Sequence, residues 1–324
     1  MLERKKIVST SIKLLIGFAS FLLIYSRLKS DLTPEKLELL SALAFSVKGL
    51  ICFGLCLLLI PINWGIESYK WQLITSPIEK ISFKTANHSV YSGICLGNLA
   101  PGRATEFLAK IVFFKLENRP KITALHFING MFQLCITYII GLSALLFQLK
   151  QFNGENIWMA YTTTTIAILV FGIFIFCLVK IDFILNLITK KISKQTAINN
   201  FKYPFTAKKL SQLFGLSLIR YCVFSLQFIL LLYLFHQQNL NFYTFVGVAI
   251  YFLITTTIPM ISILEAPIRA AIALIVFQNS GISNSALALS SVLIWIINII
   301  IPSIYGYTIL LKHNFDFKIF GKQK

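Results

Sequence analysis

Gly49-Leu50-Ile51-Cys52-Phe53-Gly54-Leu55-Cys56-Leu57-Leu58-Leu59-Ile60 carries no charge and no side-chain amide. It is the centre of an apolar segment from Leu39 to Ile62. A helix crossing the hydrocarbon core of a bilayer needs about 20 such residues, so this segment predicts a transmembrane helix. Similar segments recur at Ile7–Leu28, Ile122–Leu149, Ile157–Val179, Leu210–Phe235, Phe242–Ile263 and Ser285–Leu311. A shorter apolar piece, Ala266–Phe277, would help complete one more crossing. The expected fold is all-α: a polytopic transmembrane helical bundle of about eight crossings, forming a single integral membrane domain over residues 1–324.

Composition agrees. The chain is 56% hydrophobic and only 13% charged, with 29 Phe and a mean hydropathy of +0.76. Soluble domains carry about 25% charged residues. No hydrophilic stretch approaches the roughly 100 residues of a separate catalytic domain. The formal net charge of +18 would suggest nucleic acid as the partner of a soluble protein. Here the basic residues lie mainly between apolar segments, where they set orientation, and no nucleic-acid partner is expected. With the N-terminus inside, 22 Lys and Arg fall on the cytoplasmic side and 4 (Arg27, Lys29, Lys36, Lys150) outside. That bias predicts a multi-pass protein of the plasma (inner) membrane with both termini cytoplasmic. Ile7–Leu28 has the basic start of a signal peptide but no small-residue cleavage site, so it is read as retained. In the stretch Lys180–Leu210, Phe183, Ile184, Leu187 and Ile188 could lie on the inner leaflet with seven lysines toward headgroups. A solvated loop fits it equally well.

The six cysteines are scattered through apolar segments with no CxxC, and the four histidines stand alone. Neither residue type has metal-ligand spacing. No metal and no cofactor are expected. Buried small apolar side chains is the reading for the cysteines, and a structural role the reading for the histidines.

The informative residues are charges inside apolar segments, which cost at least about 2.5–3.5 kcal/mol each at the bilayer centre unless paired or hydrated. They are Lys48, Arg103, Glu106, Arg220, Glu265 and Arg269. Two groups share a pattern. Pro101-Gly102-Arg103-Ala104-Thr105-Glu106 breaks the segment Thr85–Leu116, and Lys110 follows Glu106 by four. Pro259 precedes Glu265, Pro267 follows it, and Arg269 follows Glu265 by four. Broken segments at corresponding places in two halves mark the binding site in many transporters, and they suggest an internal repeat. Arg103, Glu106, Glu265 and Arg269 are expected to line one polar cavity, with Lys48 and Arg220 as further cavity charges. Arg103 could make a bidentate phosphate contact, helped by backbone N–H groups after Gly102. Intrahelical ion pairs explain either group taken alone.

Asn98-Leu99-Ala100-Pro101-Gly102-Arg103-Ala104-Thr105-Glu106 with Lys110 resembles the signature of the lysylphosphatidylglycerol synthase transmembrane region family. Glu265-Ala266-Pro267-Ile268-Arg269, with Trp295, Asn298, Pro302 and Gly306, is similar to that family's C-terminal half. Thr105 stands where the family usually has Gly, Lys110 where it usually has Arg, and Met260–Leu264 replaces a Gly-rich run. The resemblance implies a flippase-like helical module without a soluble synthase domain in these 324 residues, so lysyl transfer is not expected. Its substrate would be a phospholipid or a polyprenyl-linked lipid, held at the phosphate-containing headgroup by Asn98, Pro101, Gly102, Arg103, Glu106, Lys110, Glu265 and Arg269. A membrane-embedded lipid-modifying transferase, a non-catalytic partner of a lipid- or envelope-synthesis enzyme, and an exchanger of a soluble substrate are the alternatives. No catalytic constellation is visible, which argues against an enzyme.

Overall fold

The computed structural model describes residues 22–98 except 30 and 32, Arg103, 105–151, isolated positions between 158 and 183, 206–236, 240–258, Met260 and 262–312. Among these residues there are ten α-helices and no strand. The all-α helical bundle expected from the sequence is the architecture found.

The segment Leu39–Ile62 is two helices, not one span. Helix α1, Pro34–Phe45, opens on a Thr33 side chain that accepts the Lys36 N–H, with Pro34 in the first turn. It ends at Ser46, whose backbone is extended and whose hydroxyl caps the next helix through Gly49 N–H at 3.0 Å. Helix α2 then runs from Val47 to Thr75. Its second half is polar and aromatic, a composition that suits the membrane interface. Instead Asn63, Trp64, Glu67, Lys70 and Trp71 are buried. They pair with one another and with neighbouring helices, so the helix continues through them, and through Pro61.

Among the described residues, four helices are long and apolar enough to cross a membrane: α2, α5 (Arg119–Gln151), α6 (Ala207–His236) and the composite helix Asn284–Lys312. The last consists of α9 (Asn284–Trp295), a π turn at Ile296–Ile300 and α10 (Ile301–Lys312). Between the long helices lie shorter ones. Helices α3 (Phe83–Gly97) and α4 (Glu106–Ile111) follow α2; α7 (Phe242–Thr257) and α8 (Ser262–Val276) follow α6. The predicted span Phe242–Ile263 therefore ends at Thr257. Ile258 is extended, at ψ 118°, as the residue before a proline prefers. At 1.5 Å per residue, α3, α7 and α8 are each about 22–24 Å long, short of a bilayer core of about 30 Å. The segments Thr85–Leu116 and Phe242–Phe277 are thus discontinuous.

Each half has the order long helix, short helix, break, short helix, long helix. The packing repeats with the order: α2 packs on α6, α3 on α10 and α7 on α5. The short helix of each half thus lies against the closing long helix of the other. Glycines permit these approaches. A Cβ at Gly306 of α10 would lie 2.0 Å from the Tyr91 carbonyl oxygen of α3, and one at Gly141 of α5 would lie 2.5 Å from Leu253 Cβ of α7. Helix pairs in membranes use small residues in this way. Most of the expected spans Ile7–Leu28 and Ile157–Val179, and most of Lys180–Leu210, lie outside the described residues. Residues 22–28 are helical.

Candidate functional site

Helix α3 presents small residues at Ala86, Ser89, Gly93 and Gly97. A Cβ at Gly93 would come within 2.9 Å of Lys110 Cγ, and one at Gly97 within 3.2 Å of Glu106 Cβ. Residues Gly93 and Gly97 form a G-x-x-x-G groove that seats the Glu106–Lys110 pair of α4. Ser89 Oγ donates to the Lys110 carbonyl at 3.0 Å and accepts from Trp71 Nε1 at 2.9 Å. Thr105 does not cap α4; its hydroxyl donates to the Leu96 carbonyl. This contact ties the loop to α3 at the position where the resembled family usually has Gly.

Both expected i,i+4 pairs form. Lys110 Nζ lies 2.7 Å from Glu106 Oε1, and Arg269 Nη2 lies 2.8 Å from Glu265 Oε1. Arg103 joins them: its guanidinium is 4.0 Å from Glu265 Oε1, and its charge also acts on Glu106. Arg103, 162 residues before Glu265 in sequence, is therefore where the two broken segments meet. Its side chain is 33% exposed, against 2% for Lys110, so it is the member of the group open to a ligand. Arg103 has φ 56°, a left-handed conformation that non-glycine residues rarely adopt and that marks stored strain.

A second ionic cluster lies beside the first and was not foreseen. Glu67 of α2 accepts from Asn129 Nδ2 of α5 at 2.7 Å, from Lys70 Nζ at 3.3 Å, and pairs with Arg220 Nη1 of α6 at 3.4 Å. Arg220 also donates to Gln133 Oε1 at 3.4 Å, and its Cζ stands 4.8 Å over the Trp64 ring. The Lys110 and Glu106 charges both act on Glu67, so the clusters form one electrostatic unit. Glu67 and Lys70 follow Ile62, where the apolar run stops, so in the sequence they read as part of an interface belt and not as charges inside a span. Their i,i+3 spacing beside Trp64 and Trp71 on one long helix was the available signal. Next along α2, Asn63 donates to Asn298 Oδ1 at 2.8 Å, and Asn298 donates to Gln227 Oε1 at 3.0 Å. Asn298 sits in the π turn, a local widening often found at functional places.

Other expected residues fall elsewhere. Lys48 is not a cavity charge of this site. It lies 3.8 Å over the Tyr233 ring, 19 residues before Glu67 on α2, or about 28 Å along the helix. Arg220 is in the interior but serves Glu67 rather than Glu106 or Glu265. Asn98 ends α3 and donates to Ser303 Oγ of α10, a contact that joins helices. Pro101 and Gly102 lie outside the described residues. His126 packs among Trp71, Phe107 and Phe127. Cys52, Cys56 and Cys135 are buried, but Cys222 is exposed on α6, contrary to its expected burial. Among the described residues no three His, Cys, Asp or Glu come together as a metal site. Comparison with protein-family models and with curated proteins gave no match to this chain.

Proposed function

We propose that this chain is a flippase-like transporter that moves an anionic phospholipid, or a polyprenyl-linked lipid, between leaflets. The observation that carries the reading is the Arg103–Glu265 contact at 4.0 Å, which joins two broken helices at one partly exposed guanidinium. Half-helices that meet in the interior of a repeat are the arrangement in which transporters bind substrates. The charges favour an anion: Arg103, Lys110 and Arg269 stand against Glu106 and Glu265. A lipid phosphate would take the bidentate contact of Arg103. The resemblance of Asn98–Glu106 and Glu265–Arg269 to the flippase-like region of lysylphosphatidylglycerol synthases supports the same substrate class.

The topology that fits this reading places both termini in the cytoplasm, in the plasma membrane. The pairs α3–α4 and α7–α8 would enter from opposite faces, because α2 and α6 would run in opposite directions. Reconstituted protein tests the function. It should speed the loss of fluorescent phosphatidylglycerol to an external reductant, relative to protein-free liposomes, and mass spectrometry should find anionic phospholipid carried through purification. If no lipid moves, and a membrane enzyme fails on its own substrate when this chain is deleted, the protein is a partner of that enzyme. Conversion of a lipid headgroup by the purified chain would make it a transferase.

A further inference from the structure

The cluster around Glu67 has more donors and more positive charge than it can satisfy. Among the described residues the Lys70 ammonium, whose side chain is 0% exposed, has one hydrogen bond, the 3.3 Å contact to Glu67. Three buried N–H donors of this cluster have no acceptor among the described residues: Trp64 Nε1, Gln133 Nε2 and Arg220 Nε. They belong to one neighbourhood, since Arg220 stacks on the Trp64 ring and bonds Gln133 Oε1. Trp64 is 4% exposed, so its orphaned donor is deep in the protein. An unsatisfied buried donor costs about 1–3 kcal/mol. Water could satisfy such donors but could not neutralise charge. Lys70, Arg220 and Lys110 are three cations against the two carboxylates of Glu67 and Glu106. Two orphaned acceptors, Asn63 Oδ1 and Asn129 Oδ1, could accept from a ligand hydroxyl or a protonated oxygen.

We infer that Trp64, Gln133, Lys70 and Arg220 form an interior oxyanion site, distinct from the Arg103 site, that takes a phosphate group. It would hold either a lipid phosphodiester or free inorganic phosphate. One oxygen would accept from Trp64 Nε1 and another from Gln133 Nε2, with Arg220 and Lys70 supplying the charge. The inference concerns binding, and it stands or falls apart from lipid movement.

The test is thermal unfolding of the purified full chain in detergent at constant ionic strength, with inorganic phosphate in one arm. Phosphatidylglycerol against diacylglycerol forms the other arm. Trp64→Phe keeps the ring under Arg220 and removes only the donor. Losing one charge-assisted hydrogen bond should mean that about tenfold more phosphate, or phosphatidylglycerol, is needed for the same rise in unfolding temperature. Gln133→Met should weaken the response similarly, and it serves if Trp64→Phe does not fold. A response to phosphate identifies a site open to the free anion. A response to phosphatidylglycerol alone identifies a lipid phosphodiester site. No response in either arm, or equal responses in parent and variants as general salting would give, overturns the inference and leaves a hydrated polar cluster. Phosphate binding without lipid translocation would sustain this site while removing the transport reading. Translocation without differential binding would do the reverse.

Discussion

Replacing Glu67 by Gln should destabilise the protein more than any other single change in the ionic clusters. Glu67 is the carboxylate shared by Lys70 at 3.3 Å and Arg220 at 3.4 Å, with side-chain exposures of 8%, 0% and 14% for the three residues. Gln keeps the size and can still accept from Asn129, so the change isolates charge. At these separations each pair interacts by about 5 kcal/mol for an effective dielectric constant near 20. Desolvation offsets much of that, and removing one partner of a buried pair costs about 3–5 kcal/mol. We expect Glu67→Gln to lose stability in that range in denaturant unfolding of the purified protein. Lys70→Met in the Glu67→Gln background should recover part of the loss, because it removes a cation left without its counterion. A Glu67→Gln protein within about 1 kcal/mol of the parent would show that the cluster is hydrated and screened. A Lys70→Met change that deepens the loss would show that Lys70 has another partner. Either result refutes the reasoning.

Gly306→Ala should prevent α10 from seating on α3, because the new methyl would meet the Tyr91 carbonyl at 2.0 Å; overpacking typically costs about 1–3 kcal/mol, and the unfolding temperature reads it. Asp31 accepts the Ser285 N–H at the start of α9 and pairs with Lys36. Burial alone would push its carboxyl up, but Lys36 and Ser285 outweigh burial and hold it below the ordinary aspartate value. A carboxyl lowered in the fold stabilises above its unfolded pKa, about 3.9, and that contribution is lost as pH falls through the folded value. Asp31→Ala should therefore cost about 1 kcal/mol at pH 7, as loss of a helix cap does, with the difference from the parent shrinking toward pH 3. A cysteine placed at Lys322 should resist an impermeant thiol reagent in intact cells, and labelling from outside would overturn the proposed topology.

The helical membrane class was legible because hydropathy is a long-range, redundant signal: Gly49–Ile60 and its counterparts each state it independently. The residues of the Arg103 site were legible too, since a charge in an apolar segment stands out wherever it falls. Where the reading stopped short, packing decided the outcome. Nothing in the composition of Asn63–Trp71 distinguishes an interface belt from a buried polar face. Only the arrival of Asn129 and Arg220 from other helices makes it the second. The boundary at Ser46 turned on one capping hydroxyl, and Lys48 was misplaced because a lone lysine carries no sign of the Tyr233 ring it covers. Gly93 and Gly97, four apart beside the broken segment, are a signal that the sequence offered for the seat of α4.

Translocation of fluorescent phosphatidylglycerol by the Arg103→Ala variant tests the central claim most directly. Arg103 is the partly exposed cation between the two broken segments, and alanine keeps a Cβ at the left-handed position, so backbone strain changes little. Its removal leaves Glu106 paired with Lys110 and Glu265 paired with Arg269, so the fold should persist, as an unchanged unfolding temperature would show. The account predicts that the parent accelerates transfer, that Arg103→Lys retains part of the rate because charge remains without the guanidinium fork, and that Arg103→Ala falls to the protein-free rate. A folded Arg103→Ala protein that moves the lipid as fast as the parent would contradict it.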